Sequence, residues 1–277
     1  STKWWVDGSV GVDTNGGAFD SGVGSPGTDE SGTATAITII TASSTTGTAV
    51  PAFSATTHGP GNFVHIASGT GCTVGWHEIT SQAAGTATFE SAIAGAGGDT
   101  CVGTIGGNLA TIGTATSKTV AGNQVNVKDS ATYSISANIS TPAATTKMIG
   151  YHSTVGDAGD CTIASPDSGC VLIQATTGTL TGMITTTNGT QFSNFVVDCN
   201  SETSTVGVNL TNTGATLFNA TVKNCTTSGV QMTSTAGALI AGVRVTGTKS
   251  GCTAGIISTS NLNLTAVYVV SESNACT

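Results

Sequence analysis

The sequence has little charge of either sign and few aromatic residues. Asp, Glu, Lys and Arg together make up 8% of the 277 residues, and aromatic residues make up 5%. Soluble domains usually contain about 25% charged residues. Phosphate backbones are bound through many cationic contacts, and this chain has only seven Lys and Arg and a net charge of −8. The composition therefore argues against nucleic acid as a partner.

Long hydrophobic runs are also missing. No stretch of about 20 consecutive apolar residues occurs, so the sequence predicts no membrane span and no membrane partner. Residues 1–5 contain no hydrophobic signal region. Either a signal peptide has been removed, or only an initiator Met was lost before the small Ser1. The second alternative is expected for a protein that is made in the cytoplasm and carried out of the cell on a particle.

What the sequence does contain favours β-structure. Gly occurs 38 times, Thr is more frequent still, and Val and Ile recur throughout the chain. Thr, Val and Ile favour strands, and Gly favours tight turns. A coiled coil or helical bundle would need Glu, Lys and Leu, which are scarce here. The composition predicts an all-β fold.

An internal repeat of about 24 residues occupies the last third of the chain. Each copy has an apolar residue, a short polar stretch and then alternating β-branched residues, and a second short strand follows after a Gly. The copies begin at Phe192, Leu217, Leu239 and Leu262. A repeat of this length without a helical pattern indicates a parallel β-solenoid. A β-sandwich would instead show hairpin turns about every 10 residues.

Three landmarks carry a resemblance to a known family. Residues 4–17 (WWVDGSVGVDTNGG), 122–128 (GNQVNVK) and 148–151 (MIGY) resemble conserved segments of pectate-lyase-like, right-handed parallel β-helix proteins. Residues 63–91 resemble a small inserted β-module of uncharacterised bacteriophage and environmental members. The resemblance implies a right-handed parallel β-helix with a small antiparallel β-subdomain near the N-terminus.

These patterns together predict three segments. Residues 1–30 form an N-terminal capping segment, residues 31–117 form the inserted antiparallel β-subdomain, and residues 118–277 form the parallel β-helix. Four short strand-like runs, separated by Gly-rich turns, support the second segment.

Eight cysteines are present, and none forms a Cys-x-x-Cys pair. Because His is also rare, the sequence predicts no zinc site, no other metal site and no cofactor. An even number of cysteines suggests disulfides. For Cys199 and Cys225, the alternative of free, buried thiols stays open. The candidate pairs are Cys161 with Cys170 around a tight turn, Cys252 with Cys276 one coil apart, Cys72 with Cys101, and Cys199 with Cys225.

Asp198 is the best catalytic candidate. Asn194 aligns with Asn219 in the repeat, which places Asp198 next to Lys223 one coil on, with Arg244 near. The resemblance implies that β-helix hydrolases use paired carboxylates and that lyases use carboxylate-bound Ca²⁺ with an Arg or Lys base. The alternative, which we favour, is an outward salt bridge between stacked coils, so the sequence assigns no catalytic residue.

Other polar residues give weaker hypotheses. Asp157 and Asp160 could bind Ca²⁺, but a polar loop before a disulfide is the preferred interpretation. The four His residues show no ligand spacing, and no Gly-x-Ser-x-Gly motif occurs. His65 and His77 could be neighbours across a hairpin, but two His alone make a poor metal site, and surface or strand-filling roles are the preferred interpretation.

The sequence thus favours a non-enzymatic structural protein on a phage virion surface, as a capsid decoration or fibre component. We expect partners among other virion or surface-assembly subunits, and a homo-oligomer, with a trimer as one candidate state. The alternatives are a polysaccharide-cleaving β-helix lyase or hydrolase and a secreted adhesin or surface-filament module. Ice binding is suggested by Thr-x-Thr pairs, but these do not recur at the coil period.

Overall fold

The computed structural model describes residues 2–19, 34–53, 58–95, 97–139, 142–203, 205–233, 237–246, 254–258 and 265–272. The chain divides into two compact units, Ser1–Thr111 and Ile112–Thr277. The described residues are almost entirely β-structure, with one short α-helix. The predicted all-β class is therefore confirmed, while the three segment boundaries stay a prediction.

The first unit contains a closed, six-stranded antiparallel barrel. The strand order around the barrel is β3-β4-β7-β6-β5-β8, with β8 pairing back to β3. This barrel is the antiparallel β-subdomain that the sequence predicts. The strands of the unit are β1 (Lys3–Val6), β2 (Ala18–Phe19), β3 (Thr35–Ala42), β4 (Thr46–Val50), β5 (Phe63–Ser68), β6 (Gly75–Ala83), β7 (Thr86–Phe89) and β8 (Asp99–Ile105).

Alternating side chains build the barrel core. Ile37 and Ile39 on β3, and Val64 and Ile66 on β5, are at most 2% exposed, whereas Thr38 between the first two is only partly buried. Successive residues of a strand point to opposite faces, so this alternation places one face in the core. Burying each of these aliphatic side chains stabilises the unit by about 1.5–3 kcal/mol.

The second unit is a parallel β-solenoid, as predicted. One sheet has the strand order β9-β11-β14-β16-β18-β20, with β10 and β12 joined to it through β14, and a second sheet has the order β13-β15-β17-β19. The elements are α1 (Ile112–Lys118), β9 (Gln124–Lys128), β10 (Tyr133–Ile135), β11 (Lys147–Tyr151), β12 (Val171–Ala175), β13 (Ile184–Thr185), β14 (Gln191–Asp198), β15 (Val206–Leu210), β16 (Thr216–Lys223), β17 (Ser228–Met232), β18 (Leu239–Thr246), β19 (Ala254–Ser258) and β20 (Thr265–Glu272).

The register of the solenoid follows the sequence repeat. Val197 pairs with Val222, and Val222 pairs with Val245, so that one residue type forms a column through three rungs. All three side chains are at most 1% exposed. Parallel strands lie about 4.8 Å apart, so stacked β-branched side chains contact one another along the column.

A corner within β14, β16 and β18 is formed by left-handed backbone. Asn194 has φ 69°, Asn219 has φ 43° and Gly242 has φ 57°, and all three lie at the same register. Asn and Gly tolerate this conformation better than other residues. Asn219 Nδ2 donates to Asn194 Oδ1 at 2.9 Å, and Asn194 Nδ2 donates to the Gly150 carbonyl oxygen at 2.8 Å. A short asparagine ladder therefore joins the rungs at this corner.

Among the described residues there are three disulfides: Cys72–Cys101 in the barrel unit, and Cys161–Cys170 and Cys199–Cys225 in the solenoid unit. These three predicted pairs are confirmed, and the alternative of free thiols at Cys199 and Cys225 is wrong. The pair predicted between Cys252 and Cys276 lies outside the described residues. Three disulfides indicate an extracellular or otherwise oxidising environment. Among the residues that the structure describes, no helix has the length and apolar character needed to span a membrane.

A close approach between the two sheets requires glycine at Gly229. A Cβ at this position would meet the side chain of Val245 and would lie 2.8 Å from the carbonyl oxygen of Gly255. We therefore expect Gly229→Ala to lower the free energy of unfolding by about 1–3 kcal/mol, as overpacked core positions do. Urea unfolding of the purified chain measures this change.

Gly113→Ala is the matched control, because a Cβ at Gly113 in α1 would have no heavy atom within 4 Å. This variant is expected to be neutral or to stabilise by about 0.5–1 kcal/mol. Equal unfolding midpoints for the two variants would contradict the close approach at Gly229.

Candidate functional site

The residues that the sequence predicts as catalytic candidates lie on the outward surface of the solenoid. Asp198 ends β14 and pairs in register with Lys223, which ends β16. Lys223 Nζ lies 3.4 Å from Asp198 Oδ2. The Lys223 side chain is 36% exposed and that of Asp198 is 9% exposed. The predicted neighbour relation between these two side chains is confirmed.

Asp198 uses both carboxylate oxygens within the fold. Its Oδ1 accepts the backbone N–H of Asn200 at 2.8 Å and the Nδ2–H of Asn224 at 2.9 Å, while its Oδ2 faces Lys223. Asn200 and Asn224 have positive φ angles of 53° and 58° and begin the turns after the two strands. The carboxylate therefore connects the corners of two successive rungs, next to the Cys199–Cys225 disulfide.

Arg244 lies on the neighbouring column of the same surface. Arg244 pairs in register with Thr221. It lies two residues before Thr246, which pairs with Lys223. Its Nη1 donates to the carbonyl oxygen of Thr162 at 3.5 Å. This contact directs Arg244 towards the loop that contains Thr162.

That loop, residues 152–170 between β11 and β12, is called the strap below. The strap lies against Asn219, in the left-handed corner described above. The backbone N–H of Cys161 donates to Asn219 Oδ1 at 2.9 Å, and Asn219 Nδ2 donates to the Gly159 carbonyl oxygen at 2.8 Å. Thr221 Oγ1 donates to the Cys161 carbonyl oxygen at 2.6 Å. Thr221 is only 4% exposed, because the strap covers this part of the outer surface.

Asp129 holds both ends of the strap. Its Oδ2 accepts the backbone N–H of Gly169 at 2.6 Å, and its Oδ1 lies 3.0 Å from His152 Nδ1. Cys161 and Cys170 are joined by a disulfide within the strap. These contacts close a loop that has no regular secondary structure of its own.

Asp157 organises the first turn of the strap. Its two oxygens accept the backbone N–H groups of His152, Ser153 and Thr154 at 2.7–2.9 Å and the Ser153 hydroxyl at 2.8 Å. Burial raises the pKa of this carboxyl, but the four hydrogen bonds favour the charged form more strongly and hold its pKa well below the usual value.

Asp160 is used in a similar way. Its Oδ1 accepts the hydroxyl and the backbone N–H of Thr162, and these bonds lower the pKa of its carboxyl. In the part of the chain that the structure describes, no three His, Cys, Asp or Glu side chains are grouped so that they could hold a metal ion. The contacts of Asp157 and Asp160 fit the polar-loop interpretation rather than a Ca²⁺ site.

The barrel contains a polar pair that the sequence did not reveal. His77 Nδ1 lies 3.0 Å from Ser91 Oγ, and His77 Nε2 lies 2.8 Å from the carbonyl oxygen of Thr73. His65 and His77 do lie on adjacent strands, as expected, but His65 is opposite Trp76 and His77 is opposite Val64. Ser91 lies opposite His77 where the β6–β7 hairpin continues beyond the Ile79–Phe89 pair, so hairpin register is the signal that could have found them.

Comparison with known proteins gave no match to a family model, a curated protein or a solved structure. The resemblance to pectate-lyase-like bacteriophage proteins therefore stays a prediction. The stacked parallel strands support its coarser part, a β-solenoid.

The two partners of the Asp198–Lys223 pair are expected to differ in their effect on stability. Asp198→Ala leaves the partly buried donors of Asn200 and Asn224 without their acceptor, which costs about 1–3 kcal/mol of unfolding free energy. Lys223→Met removes only a partly exposed ion pair, which costs less than about 1 kcal/mol. Urea unfolding at neutral pH compares the two variants, and equal losses would argue against the corner-connecting role of Asp198.

The lowered pKa of Asp157 predicts that the stability of the protein depends on pH. Its folded pKa is lower than its unfolded value, so its contribution is present above the unfolded value of about 3.9 and is lost as the pH falls through the range below it. We expect the unfolding temperature of the wild type to fall more steeply between about pH 4 and pH 2 than that of Asp157→Asn. Glu90→Gln, which removes an exposed carboxylate from the barrel, is the control, and parallel curves for wild type and Asp157→Asn would contradict this assignment.

Proposed function

We propose that this chain is a non-enzymatic structural protein of a virion surface, as a capsid decoration or fibre component. The observation that carries the proposal is the use of Asp198, the best catalytic candidate, as an acceptor that joins two rungs of the solenoid. A catalytic carboxylate needs an oxygen that can reach a substrate. Asp198 instead directs both oxygens to protein donors.

Other features support the same proposal. The Cys199–Cys225 disulfide, the asparagine ladder and the strap all connect different rungs of the solenoid. Such connections stiffen a stack of rungs that otherwise contact only their neighbours. Stiffness and resistance to oxidising surroundings are properties that an external particle component needs.

We further propose that the chain acts within an assembly of other virion subunits or of its own copies. A β-solenoid has a strand edge at each end of its stack, and natural proteins cover such edges to prevent uncontrolled pairing. Closed homo-oligomers are the commonest way to bury repeated surfaces. A trimer is the first state to look for by light scattering.

A polysaccharide-cleaving function is the second candidate. It is favoured by the position of Lys223 and Arg244 on neighbouring columns of one outward surface, close to Asp198. In this alternative the neutral amine form of Lys223 would act as the base, and the carboxylate of Asp198 would bind or polarise the substrate.

The deciding experiment is to purify particles from the source and to quantify this chain by mass spectrometry. The structural function predicts a high and constant copy number per particle, and slower migration on gels after the disulfides are reduced. In parallel, the purified chain is incubated with capsular and plant-type acidic polysaccharides, and released reducing ends and unsaturated products are measured.

Absence of the chain from particles, together with cleavage that Lys223→Met abolishes, would replace the structural proposal with the enzymatic one. Lys118→Met, which removes a cation at the end of α1, is the matched control for that loss.

A further inference from the structure

The contacts of His77 fix how its imidazole is protonated. The carbonyl oxygen of Thr73, 2.8 Å from Nε2, can only accept a hydrogen bond, so Nε2 carries the proton. In the neutral ring Nδ1 is then an acceptor. The Ser91 hydroxyl, 3.0 Å away, therefore donates its proton to Nδ1.

The two side chains differ in exposure. His77 lies on β6 and is 4% exposed, while Ser91 lies just after β7 on the surface of the unit. The hydroxyl is thus open to a solute, and the base that accepts its proton is shielded from water. A nucleophile within hydrogen-bond reach of a base, with the base oriented by a third group, is the arrangement that activates serine.

We propose that Ser91 is a nucleophile activated by His77 and that it is a site of covalent acylation by activated esters. Ser91 Oγ attacks the carbonyl carbon of the ester while its proton passes to His77 Nδ1. The bond from that carbon to the leaving oxygen then breaks, and His77 returns the proton to the departing alkoxide. The products are an acyl ester on Ser91 and a free alcohol.

The carbonyl group that orients His77 limits the reaction to covalent modification of Ser91, without turnover. A backbone carbonyl holds Nε2 of His77, and a neutral carbonyl stabilises the imidazolium less than the carboxylate of a Ser-His-Asp triad does. We therefore expect acylation about 10²-fold faster than at an unassisted serine, the lower end of general-base catalysis. Hydrolysis of the ester would require His77 to activate a separately bound water, whereas acylation uses a hydroxyl already 3.0 Å from Nδ1, so the adduct is expected to persist long enough to be isolated.

The test uses the full chain with p-nitrophenyl acetate and, separately, a fluorophosphonate probe. Intact mass and peptide mapping locate the adduct, and release of nitrophenolate gives the rate. We expect one adduct at Ser91, formed about 10²-fold faster than any at the exposed Ser68 of the same unit. Ser91→Ala is expected to abolish the adduct, and Ser68→Ala to leave it unchanged.

His77→Gln tests the base, with retention of the fold checked by circular dichroism. A folded variant is expected to label Ser91 at the rate of Ser68. Should this variant unfold, the solvent deuterium isotope effect on wild-type labelling replaces it, because the proposed step moves a proton from Ser91 to His77 and is expected to slow in D2O. Equal labelling of Ser91 and Ser68, or labelling of Ser91 that neither His77→Gln nor D2O lowers, would overturn the proposal.

Discussion

The register between parallel rungs is the constraint on which the solenoid unit depends. Parallel pairing brings the same position of successive repeats to about 4.8 Å, so every column must suit a residue stacked on its own counterpart. The columns solve this in different ways: Val222 stacks on Val197, Asn219 bonds to Asn194, and Lys223 neutralises Asp198. A shift of one residue in one rung would disrupt all of these columns together, so they reinforce one another.

The features of the solenoid that could be predicted from the sequence are those that the register between its rungs determines. The repeat placed Asp198 beside Lys223 because a solenoid brings aligned positions into contact. It predicted parallel β-structure because copies of about 24 residues show alternating β-branched residues and no helical pattern. Cys199 and Cys225 stayed ambiguous for a physical reason, since a buried column accepts a thiol as readily as a disulfide. The disulfide depends on a one-residue offset between the two rungs that an alignment does not specify.

The barrel and the strap depend on contacts that no repeat imposes. The pairing of β4 with β7, and of β8 with both β3 and β5, joins strands far apart in the chain, and short apolar runs carry no information about their order. The Ser91–His77 pair differs, because it follows from the local β6–β7 hairpin in which Ile79 pairs with Phe89. The strap has no periodic pattern, and its position on Asn219 and Thr221 follows from hydrogen bonds that single residues supply. In a chain with so few charges, Asp129, Asp157 and Asp198 act mainly as acceptors for backbone and amide donors.

The disulfide between Cys199 and Cys225 has a mechanical consequence. A force that pulls on the C-terminal end of a solenoid would peel off rungs one at a time, because each is held by its neighbours alone. The two cysteines are 26 residues apart, so the bond withholds from extension the chain that lies between them. An extended chain spans about 3.3–3.6 Å per residue, so the residues between the two cysteines account for most of the length that one unfolded rung would otherwise release. When peeling from that end reaches Cys225, the force passes through the disulfide to Cys199, so the chain lengthens by about one rung less than the number of residues released would allow.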